Sequence, residues 1–413
     1  MTRQGPPRVG LFGLLGSGNL GNDGSLDAVV AFLSERHPDT TLGFLCKGPE
    51  RVAARYGVPA RHLQWNEARG TATGWHAAVL KVVGKVLDPF RTFAWLRRQD
   101  LVIVPGMGVL EATLPLRPWG FPYSLFWLCV LGRLAGTRVA LVSVGADVVR
   151  NRLTRLLVTC AARLAHYRSY RDELSRNAMR TMGVDVTADQ VYPDLAFALP
   201  EPPACAVVPG SVGVGVMDYR GGDDDRGRAD EINRAYVDAM RRFVRRLVDD
   251  GRQVRLFVGD EADASVVTEI LSDAADRPGA VRADPVSGLD DLMRQMASVE
   301  TVVATRYHNV LCALKLGKPT LSVGYAVKND VLMAGMGVGG EFCQSARAVD
   351  LDRLVQQFQA LEARRHELVA TMRRRGRSNA RGVEEQFSAL STLLPPNRTP
   401  SHTVGTAMSQ EVS

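Results

Sequence analysis

Short hydrophobic runs alternate along the first half of the chain with longer segments in which hydrophobic residues recur every three or four positions. The short runs are typical of buried parallel strands, and the longer pattern is typical of helices that bury one face. Strands are predicted at residues 9–12, 42–45, 101–104, 139–144 and 166–170. A helix is predicted after the first strand, with Asp23 or Ser25 as its N-cap. This order predicts a doubly wound parallel α/β sheet.

The pattern breaks at residues 199–203, where three prolines in five positions exclude a helix and indicate a linker. After the linker, strands are predicted at residues 212–217, 254–258, 301–304 and 320–323, with helices between them. The fold class is therefore α/β, with two Rossmann-like domains and a cleft between them. The predicted domains are 1–198 and 199–350, followed by C-terminal helices over 351–394 and a disordered tail over 395–413.

Composition supports two globular cores and an anionic ligand. The chain has 413 residues, of which 46% are hydrophobic and 23% are charged, and its net charge is +7. A basic excess indicates an anionic partner. The charge is dispersed, and no arginine–aromatic repeat resembles a nucleic-acid module, so we expect a small anionic substrate and no nucleic acid.

Cysteine spacing and hydropathy indicate the cellular compartment in which the protein works. The six cysteines lie far apart, which predicts neither a zinc site nor a disulfide framework. The N-terminal segment runs directly into a strand and does not read as a signal peptide. The apolar run over residues 119–132 contains Pro122 and is too short to cross a bilayer. We therefore expect a cytoplasmic protein.

Two glycine-rich loops follow predicted strands of the first domain. The first contains Gly16, Gly18, Asn19 and Gly21, and we expect it to run well past the strand before the helix begins. Glycines at such a position let backbone N–H groups approach an anion, although a tight strand–helix turn has the same composition. The second loop, with Gly106 and Gly108, follows the strand at 101–104. Together the loops predict one wall of a cleft.

Polar residues at further strand ends supply candidate chemistry. Arg171 follows the strand at 166–170, where it can grip a carboxylate or phosphate, or pair with Asp172 or Glu173. Asp172 is the predicted N-cap of the next helix. Asp194 follows another short strand, where an interdomain structural role and a catalytic role are both open.

The segment Thr305-Arg306-Tyr307-His308-Asn309 is the strongest candidate in the second domain. It ends the strand at 301–304 and opens a helix, so Arg306 and His308 converge on whatever binds at the helix N-terminus. Histidine is the side chain best suited to proton transfer near neutral pH. Tyr325 and Lys328 follow the next strand and extend the same rim.

These segments, in this order, resemble the polysaccharide pyruvyl transferase family. The resemblance rests on residues 16–23, 106–108, 169–172, 192–194, 306–308 and 324–328, and it covers roughly residues 9–340. It departs from the family pattern at Asn22-Asp23, where the family has Asp-Glu, and at Gly106-Met107-Gly108, where the family has three glycines. The resemblance implies a glycosyltransferase-B-like fold.

The resemblance also implies a reaction. Family members move the enolpyruvyl unit of phosphoenolpyruvate onto two hydroxyls of a sugar, which makes a pyruvate ketal and releases phosphate. The implied donor-binding residues are Arg306, Arg171, Tyr307, Lys328 and Tyr325, with His308 as acid/base, Asp194 assisting, and no metal or cofactor. We expect Arg306→Ala and His308→Ala each to abolish ketal formation and to leave thermal unfolding nearly unchanged.

The acceptor is a saccharide or a lipid-linked saccharide, with the first domain as its expected side. An apolar stripe over residues 75–87, beside Lys81 and Lys85, favours an amphipathic helix packed on the sheet and is also typical of helices on anionic membrane surfaces. Peripheral membrane contact is therefore one interpretation. A nucleotide-sugar-dependent glycosyltransferase and a non-catalytic anion-binding homologue are the alternative functions.

Overall fold

The first domain is built on a seven-stranded parallel sheet in the order β3-β2-β1-β4-β5-β6-β7. The computed structural model describes residues 5–67, 74–108, 110–111 and 118–395, so the predicted tail lies outside the described residues apart from Pro395. The strands are β1 (Arg8–Gly13), β2 (Thr41–Cys46), β3 (Ala60–His62), β4 (Leu101–Pro105), β5 (Arg138–Val144), β6 (Tyr167–Tyr170) and β7 (Gln190–Val191). The strands predicted in this half are confirmed to within two residues at each end.

Helices cover both faces of this sheet, which is why its central strands are apolar along their whole length. They are α1 (Leu20–Arg36), α2 (Pro49–Tyr56), α3 (Gly74–Leu96), α4 (Phe121–Ala135), α5 (Arg152–Leu164) and α6 (Glu173–Thr181). Asp172 caps α6 through a hydrogen bond from the Ser175 backbone N–H, as predicted. A 3-10 helix, Leu195–Ala198, ends the domain.

The second domain has a six-stranded parallel sheet in the order β10-β9-β8-β11-β12-β13. Its strands are β8 (Val212–Gly215), β9 (Val254–Phe257), β10 (Val281–Ala283), β11 (Thr301–Ala304), β12 (Thr320–Gly324) and β13 (Cys343–Ser345). Its helices are α7 (Ala229–Asp249), α8 (Ala264–Asp273), α9 (Leu289–Ala297), α10 (Tyr307–Lys315) and α11 (Val327–Gly335). The predicted strand at 301–304 is confirmed at both ends.

In both parallel sheets the order in which successive strands are added reverses at the centre of the sheet. Strand order runs outward from β1 to β3 on one side and from β4 to β7 on the other, and β8 and β11 are the equivalent neighbours in the second sheet. Loops that leave neighbouring strands at such a point diverge to opposite faces, which opens a crevice for ligands. The loops after β1, β4, β8 and β11 therefore define where the two domains face each other.

The start of α1 differs from the sequence prediction. The helix begins at Leu20, and its N-cap is Asn19 rather than Asp23 or Ser25. The glycine loop is therefore short, and Gly21 and Asp23 belong to the first turn of the helix. Glycine is about 1 kcal/mol less favourable than alanine in a helix, so the glycines of this segment predict a loop rather than a helix start. The Asn19 side chain accepts a hydrogen bond from the Asn22 N–H, which stabilises the turn.

Two C-terminal helices, α12 (Leu351–Ala363) and α13 (Arg365–Ser391), follow the second sheet. The end of α13 returns to the first domain, where Phe387 stacks on Phe32 with ring centroids 4.5 Å apart. Gln386 is fully buried there and donates to the Ser169 hydroxyl over 2.6 Å. Helix α13 also packs against the 3-10 helix at 195–198. The last helix of the chain thus belongs to the core of the first domain.

Candidate active site

A pocket with a volume of about 140 Å³ lies between the carboxyl ends of the two sheets. Predicted site residues from both domains line it: Asn19, Gly108, Arg171, Arg306, Tyr307, His308, Tyr325 and Lys328. The first domain contributes the loops after β1, β4 and β6, and the second contributes those after β11 and β12. The structure therefore brings together, in one place, residues that are more than 300 positions apart in the sequence.

Asn19 joins the two domains at the rim of the pocket. Its side-chain Nδ2 donates to Asp260 Oδ2 over 3.0 Å, and the neighbouring Leu20 N–H donates to the Gly259 carbonyl over 3.1 Å. Because Asn19 also caps α1, a single side chain fixes the start of that helix against the second domain. The first turn of α1 therefore lies at the interface between the two domains.

His308 is held in the first turn of α10 against the start of α1. A Cβ atom built on Gly21 would lie 1.9 Å from His308 Nδ1, so only glycine leaves room for the imidazole. On the other side of the ring, Nε2 lies 3.7 Å from Asp194 Oδ2. Within the described part of the chain this nitrogen has no hydrogen-bond partner. The imidazole is therefore held between Gly21 and Asp194, with Nε2 buried toward the carboxylate, and the side chain lines the pocket.

Asp194 is an ionised carboxylate in a buried position. Its Oδ1 accepts from the Ala196 N–H over 3.0 Å, and Arg171 Nη1 lies 3.8 Å from its Oδ2. Burial raises the pKa of Asp194, but His308, Arg171 and the Ala196 N–H together lower it below its usual value. A buried negative charge therefore lies 3.7 Å from His308 Nε2.

Glu111 forms a buried charge cluster with Arg171 and Lys328. The carboxylate forms an ion pair with Arg171, and Lys328 Nζ donates to its Oε2 over 2.6 Å across the domain interface. Burial raises the pKa of Glu111, but the two cations outweigh burial and lower it to about 2. Breaking such a buried pair on one side is costly, so the cluster fixes both cations in place.

Sequence reasoning missed Glu111. Its partners Arg171 and Lys328 are 60 and 217 positions away, so spacing alone does not reveal the cluster. The available signal was an isolated carboxylate shortly after the loop with Gly106 and Gly108. The predicted alternative, in which Arg171 pairs with Asp172, is present only as a longer contact of 3.5 Å.

Arg306 is held by a buried carboxylate that the sequence analysis did not single out. Nε and Nη2 of Arg306 donate to the two oxygens of Asp263 over 3.0 Å and 2.6 Å. Asp263 is fully buried and also accepts from the backbone N–H groups of Asp218, Gly259 and Asp260. This carboxylate ties the ends of β8, β9 and β11 together. Nη1 of Arg306 stays outside the pair, and the side chain lines the pocket.

Two tyrosine rings lie beside the cations of the pocket. The Arg171 guanidinium lies over the Tyr307 ring at 4.4 Å, and Lys328 Nζ lies 4.8 Å from the centre of the Tyr325 ring. Contacts of this kind stabilise a desolvated cation by about 2 kcal/mol. Burial raises the pKa of Tyr307 well above its usual value, so its hydroxyl stays protonated. Tyr307 and Tyr325 thus orient the cationic side chains.

The remaining glycines of the two loops have other surroundings. Gly16 and Gly18 line a second interdomain groove with Arg51 and Glu261, on the other side of α1. Gly106 has φ +27 and lies beneath α1, where its carbonyl accepts from the Ser25 hydroxyl over 3.2 Å. Of the predicted glycines, Gly108 is the one that lines the pocket, and Gly21 is the one that makes room for His308.

Asp23, in the second groove, is expected to make folding depend on pH. Burial raises the pKa of Asp23 to about 6, partly offset by the hydrogen bond from the Gly16 N–H. The folded state therefore binds a proton more tightly than the unfolded chain, and stability falls as pH rises through 6. Asp23→Asn keeps the acceptor for Gly16 and removes the charge. We expect it to raise the free energy of unfolding at pH 8 by up to about 3 kcal/mol.

Urea unfolding at pH 8 and pH 4 tests this expectation. The gain should disappear near pH 4, where Asp23 is protonated in the folded protein. Asp352→Asn, at an exposed position on α12, is the matched control and should show no comparable dependence on pH. A gain for Asp23→Asn of the same size at both pH values would contradict the assignment.

The described residues contain no metal-binding cluster, no membrane-spanning helix and no disulfide. No group of three or more His, Cys, Asp or Glu side chains is arranged to hold a metal ion. No helix there combines the length and the hydropathy that a membrane span requires. The six cysteines are free, and they are not paired with one another.

Most of the chain matches the model of one protein family. Residues 19–326 match the family model described as polysaccharide pyruvyl transferase, which covers most of the chain. The chain belongs to the polysaccharide pyruvyl transferase family. The match begins at Asn19 and ends just after Tyr325, so it includes Glu111, Arg171, Asp194, Arg306 and His308. No curated protein shows significant sequence similarity to this family member.

Solved structures share the fold of this pyruvyl transferase family member at low sequence identity. UDP-GlcNAc 2-epimerase from Neisseria meningitidis has a TM-score of 0.59 and 11% identity, over 94% of this chain and 100% of that one. The epimerase from Methanocaldococcus jannaschii has a TM-score of 0.56 and 10% identity, over 85% and 92%. Anabaena HepE, solved with UDP and glucose, has a TM-score of 0.57 and 11% identity, over 93% and 98%. The predicted two-domain, glycosyltransferase-B-like α/β fold is confirmed.

Proposed function

We propose that this protein transfers the pyruvyl group of phosphoenolpyruvate onto two hydroxyls of a saccharide, forming a pyruvate ketal and releasing phosphate. The observation that supports this most is the position of His308 at the N-terminus of α10, between Asp194 and a set of three buried or half-buried cations. Family membership supplies the reaction class, and the arrangement of the pocket supports the donor.

The size of the pocket favours a small anion over a nucleotide sugar. Its volume of about 140 Å³ is below the roughly 300–1,000 Å³ of sites for larger ligands. The first N–H groups of α10 have no partner within the helix, and the helix dipole favours an anion there. Phosphoenolpyruvate carries a phosphate and a carboxylate on a three-carbon skeleton, which suits a helix N-terminus flanked by Arg306 and Arg171.

The cations of the pocket already face carboxylates, and this shapes how the donor binds. Arg306 faces Asp263, while Arg171 and Lys328 face Glu111. The donor therefore relies on N–H groups that these pairs leave over, such as Nη1 of Arg306 and the backbone of α10. The counter-charges keep the cations fixed before the donor arrives, so little reorganisation is needed when charge develops in the transition state.

His308 is the group in the pocket that can move a proton near neutral pH. Glu111 and Asp194 are held as carboxylates by their cationic neighbours, and Tyr307 stays protonated. Burial lowers the pKa of Lys328, but Tyr325 and Glu111 raise it above its usual value, so this side chain stays charged. Imidazole is the side chain suited to the task at this pH. Asp194 lies beside the ring, 3.7 Å from Nε2.

The reaction then proceeds in two bond-forming steps. His308 donates a proton to the methylene carbon of phosphoenolpyruvate, which leaves a positive, oxocarbenium-like centre on the neighbouring carbon. One saccharide hydroxyl adds to that carbon and loses its proton to the imidazole. The imidazolium then donates its proton to the departing phosphate as the carbon–oxygen bond to phosphate breaks, and inorganic phosphate leaves with the electron pair. A second hydroxyl forms the other C–O bond and gives its proton to the imidazole, which returns to its starting state. Both saccharide oxygens end on one carbon, as a ketal.

Ligand screening and product analysis separate this function from its alternatives. Phosphoenolpyruvate should raise the unfolding temperature of the protein, and saccharide acceptors should then release phosphate and show the ketal methyl signal by NMR. Stabilisation by UDP-sugars instead would support a nucleotide-sugar-dependent glycosyltransferase. Phosphoenolpyruvate binding without phosphate release from any acceptor would support a non-catalytic homologue.

Gly21→Ala is expected to lower the rate of transfer by about 100-fold, the effect of displacing a catalytic group by about 1 Å. The added methyl group would overlap the His308 imidazole, so the ring or the whole of α1 must move. The rate of phosphate release is the measurement. Gly335→Ala is the matched control, since a Cβ atom there meets nothing within 4 Å and the position is also helical. Wild-type activity in Gly21→Ala would remove His308 from the proposed position.

A further inference from the structure

Helices α3 and α4 present an apolar surface outside the candidate active site. Its most exposed members, at 60–72% exposure, define what we call the α3–α4 face: Val82, Val86, Phe90, Trp119 and Leu134. The opposite side of α3 packs into the domain through Asp88, Thr92, Trp95 and Leu96, all buried. Helix α3 is thus packed on the sheet, as one sequence interpretation predicts, and still leaves a second apolar side uncovered by the described residues. Contiguous apolar surface of this kind marks an interaction site.

The α3–α4 face contains a groove of about 1120 Å³, much larger than the pocket between the domains. Trp119, Tyr123 and Trp127 line it together with aliphatic side chains. The Tyr123 hydroxyl donates to the Lys85 carbonyl over 2.7 Å, which ties α4 to α3 at the floor of the groove. Tryptophan and tyrosine with an apolar body and a polar tip are the residues enriched where hydrocarbon meets lipid headgroups.

The charged side chains that line the groove are cations. Lys81 and Lys85 are among its lining residues, and none of the lining residues is Asp or Glu. The Lys85 ammonium lies 5.3 Å from the centre of the Tyr123 ring, so it borders the aromatic side chains directly. An apolar surface bordered by cations matches the boundary of an anionic bilayer, where acyl chains lie under negative headgroups.

The chain connects the α3–α4 face to the candidate active site. Gly108 and Glu111 line the pocket, and Trp119 and Gly120 line the groove. Trp119 is eight positions after Glu111, and a fully extended chain of eight steps spans at most about 28 Å. A bilayer touching Trp119 therefore lies within that distance of Glu111.

We propose that the α3–α4 face docks on the surface of an anionic lipid bilayer and brings the pocket to a lipid-linked saccharide acceptor. Docking itself follows from the exposed apolar residues and the lysines, and the acceptor class rests on the proposed function. The short distance between groove and pocket places a saccharide attached to a membrane lipid within reach of the donor.

Flotation of the full chain with lipid vesicles tests the docking. The protein should float with vesicles of phosphatidylcholine and phosphatidylglycerol, and much less with phosphatidylcholine alone. Val86→Asp should weaken binding by about tenfold or more, because one buried valine is lost. Lys81→Gln should weaken it by about fivefold, the effect of one cation near an anionic surface. Val207→Asp is the matched control at an exposed valine outside the face and should float like the wild type.

The outcomes distinguish docking from other uses of the face. The proposal would be overturned if Val86→Asp floated as well as the wild type, or if the wild type did not float with the vesicles. A dimer in analytical ultracentrifugation that Val86→Asp dissociates would also overturn it, because the face would then join two copies of the chain. Val86→Asp should still be stabilised by phosphoenolpyruvate and should keep its activity on a water-soluble saccharide. Loss of flotation in a protein with no transferase activity would support docking and refute the proposed function.

Discussion

His308→Ala is expected to lower the rate of ketal formation by about 10²–10⁴-fold, the usual contribution of a positioned acid/base group. The imidazole lies between Gly21 and Asp194, and the side chain lines the pocket. The neighbouring carboxylates are ionised, so no other side chain described in the pocket can replace it at neutral pH. Phosphoenolpyruvate should still stabilise the variant, because the arginines and the helix N-terminus remain.

Phosphate release and ketal formation should be measured for this variant beside His366→Ala. His366 is exposed on α13 and is not among the residues that line the pocket, so its loss should leave the rate unchanged. Asp194→Asn should show a smaller loss and an altered pH profile, since it removes the charge beside the ring. A His308→Ala enzyme with the wild-type rate would exclude the proposed acid/base.

Arg306→Ala is expected to lower the free energy of unfolding by about 3–5 kcal/mol, the effect of leaving a buried charge unpaired. The sequence alone predicts almost no change in unfolding for this variant. The structure alters that expectation, because Arg306 is the cation that neutralises the fully buried Asp263. The backbone N–H groups that also donate to Asp263 should keep the loss toward the lower end of the range. Transfer activity should be lost at temperatures where the variant is still folded.

A double-mutant cycle separates the ion pair from other effects. Urea unfolding of Arg306→Ala, Asp263→Ala and the double variant should give a coupling free energy of about 0.5–3 kcal/mol. Arg150→Ala provides the control, because Arg150 pairs with Asp224 at 3.1 Å on the surface, with both side chains more than 80% exposed. That change should cost less than about 1 kcal/mol. Additive losses at Arg306 and Asp263 would contradict the assigned pairing.

Much of the fold could be predicted from hydrophobic patterning, because central parallel strands are apolar over their whole length. The strand at 301–304 and the helix that follows it were therefore placed correctly, and with them Arg306 and His308. The short edge strands β3, β10 and β13 were missed. Each has three residues, and Ala60-Arg61-His62 carries two polar side chains, so it has no apolar run to detect. Their pairing with longer neighbours decides their structure.

The partners of the charged site residues could not be predicted, since they depend on contacts between distant segments. Glu111 meets Lys328 only after two domains have folded and joined. Asp263 lies 43 residues before Arg306, in a 3-10 turn without a recognisable motif. Asn19 caps α1 and binds Asp260 at the same time, and this interdomain contact outweighs the poor helix propensity of Gly21 and Gly24. Sequence reasoning identified the cations and left their counter-charges unknown.

The return of α13 to the first domain means that the chain passes between the domains twice, and both passages lie at one corner. The first follows the 3-10 helix at 195–198, against which α13 packs, and Lys315 at the end of α10 donates to the Phe197 carbonyl there over 2.7 Å. Two connections at one place restrict the relative movement of the domains to rotation about that place. Atoms near a rotation axis move least, and Asp194 and His308 lie just before that 3-10 helix and at the start of α10. We therefore expect any widening of the cleft to leave Asp194 and His308 together.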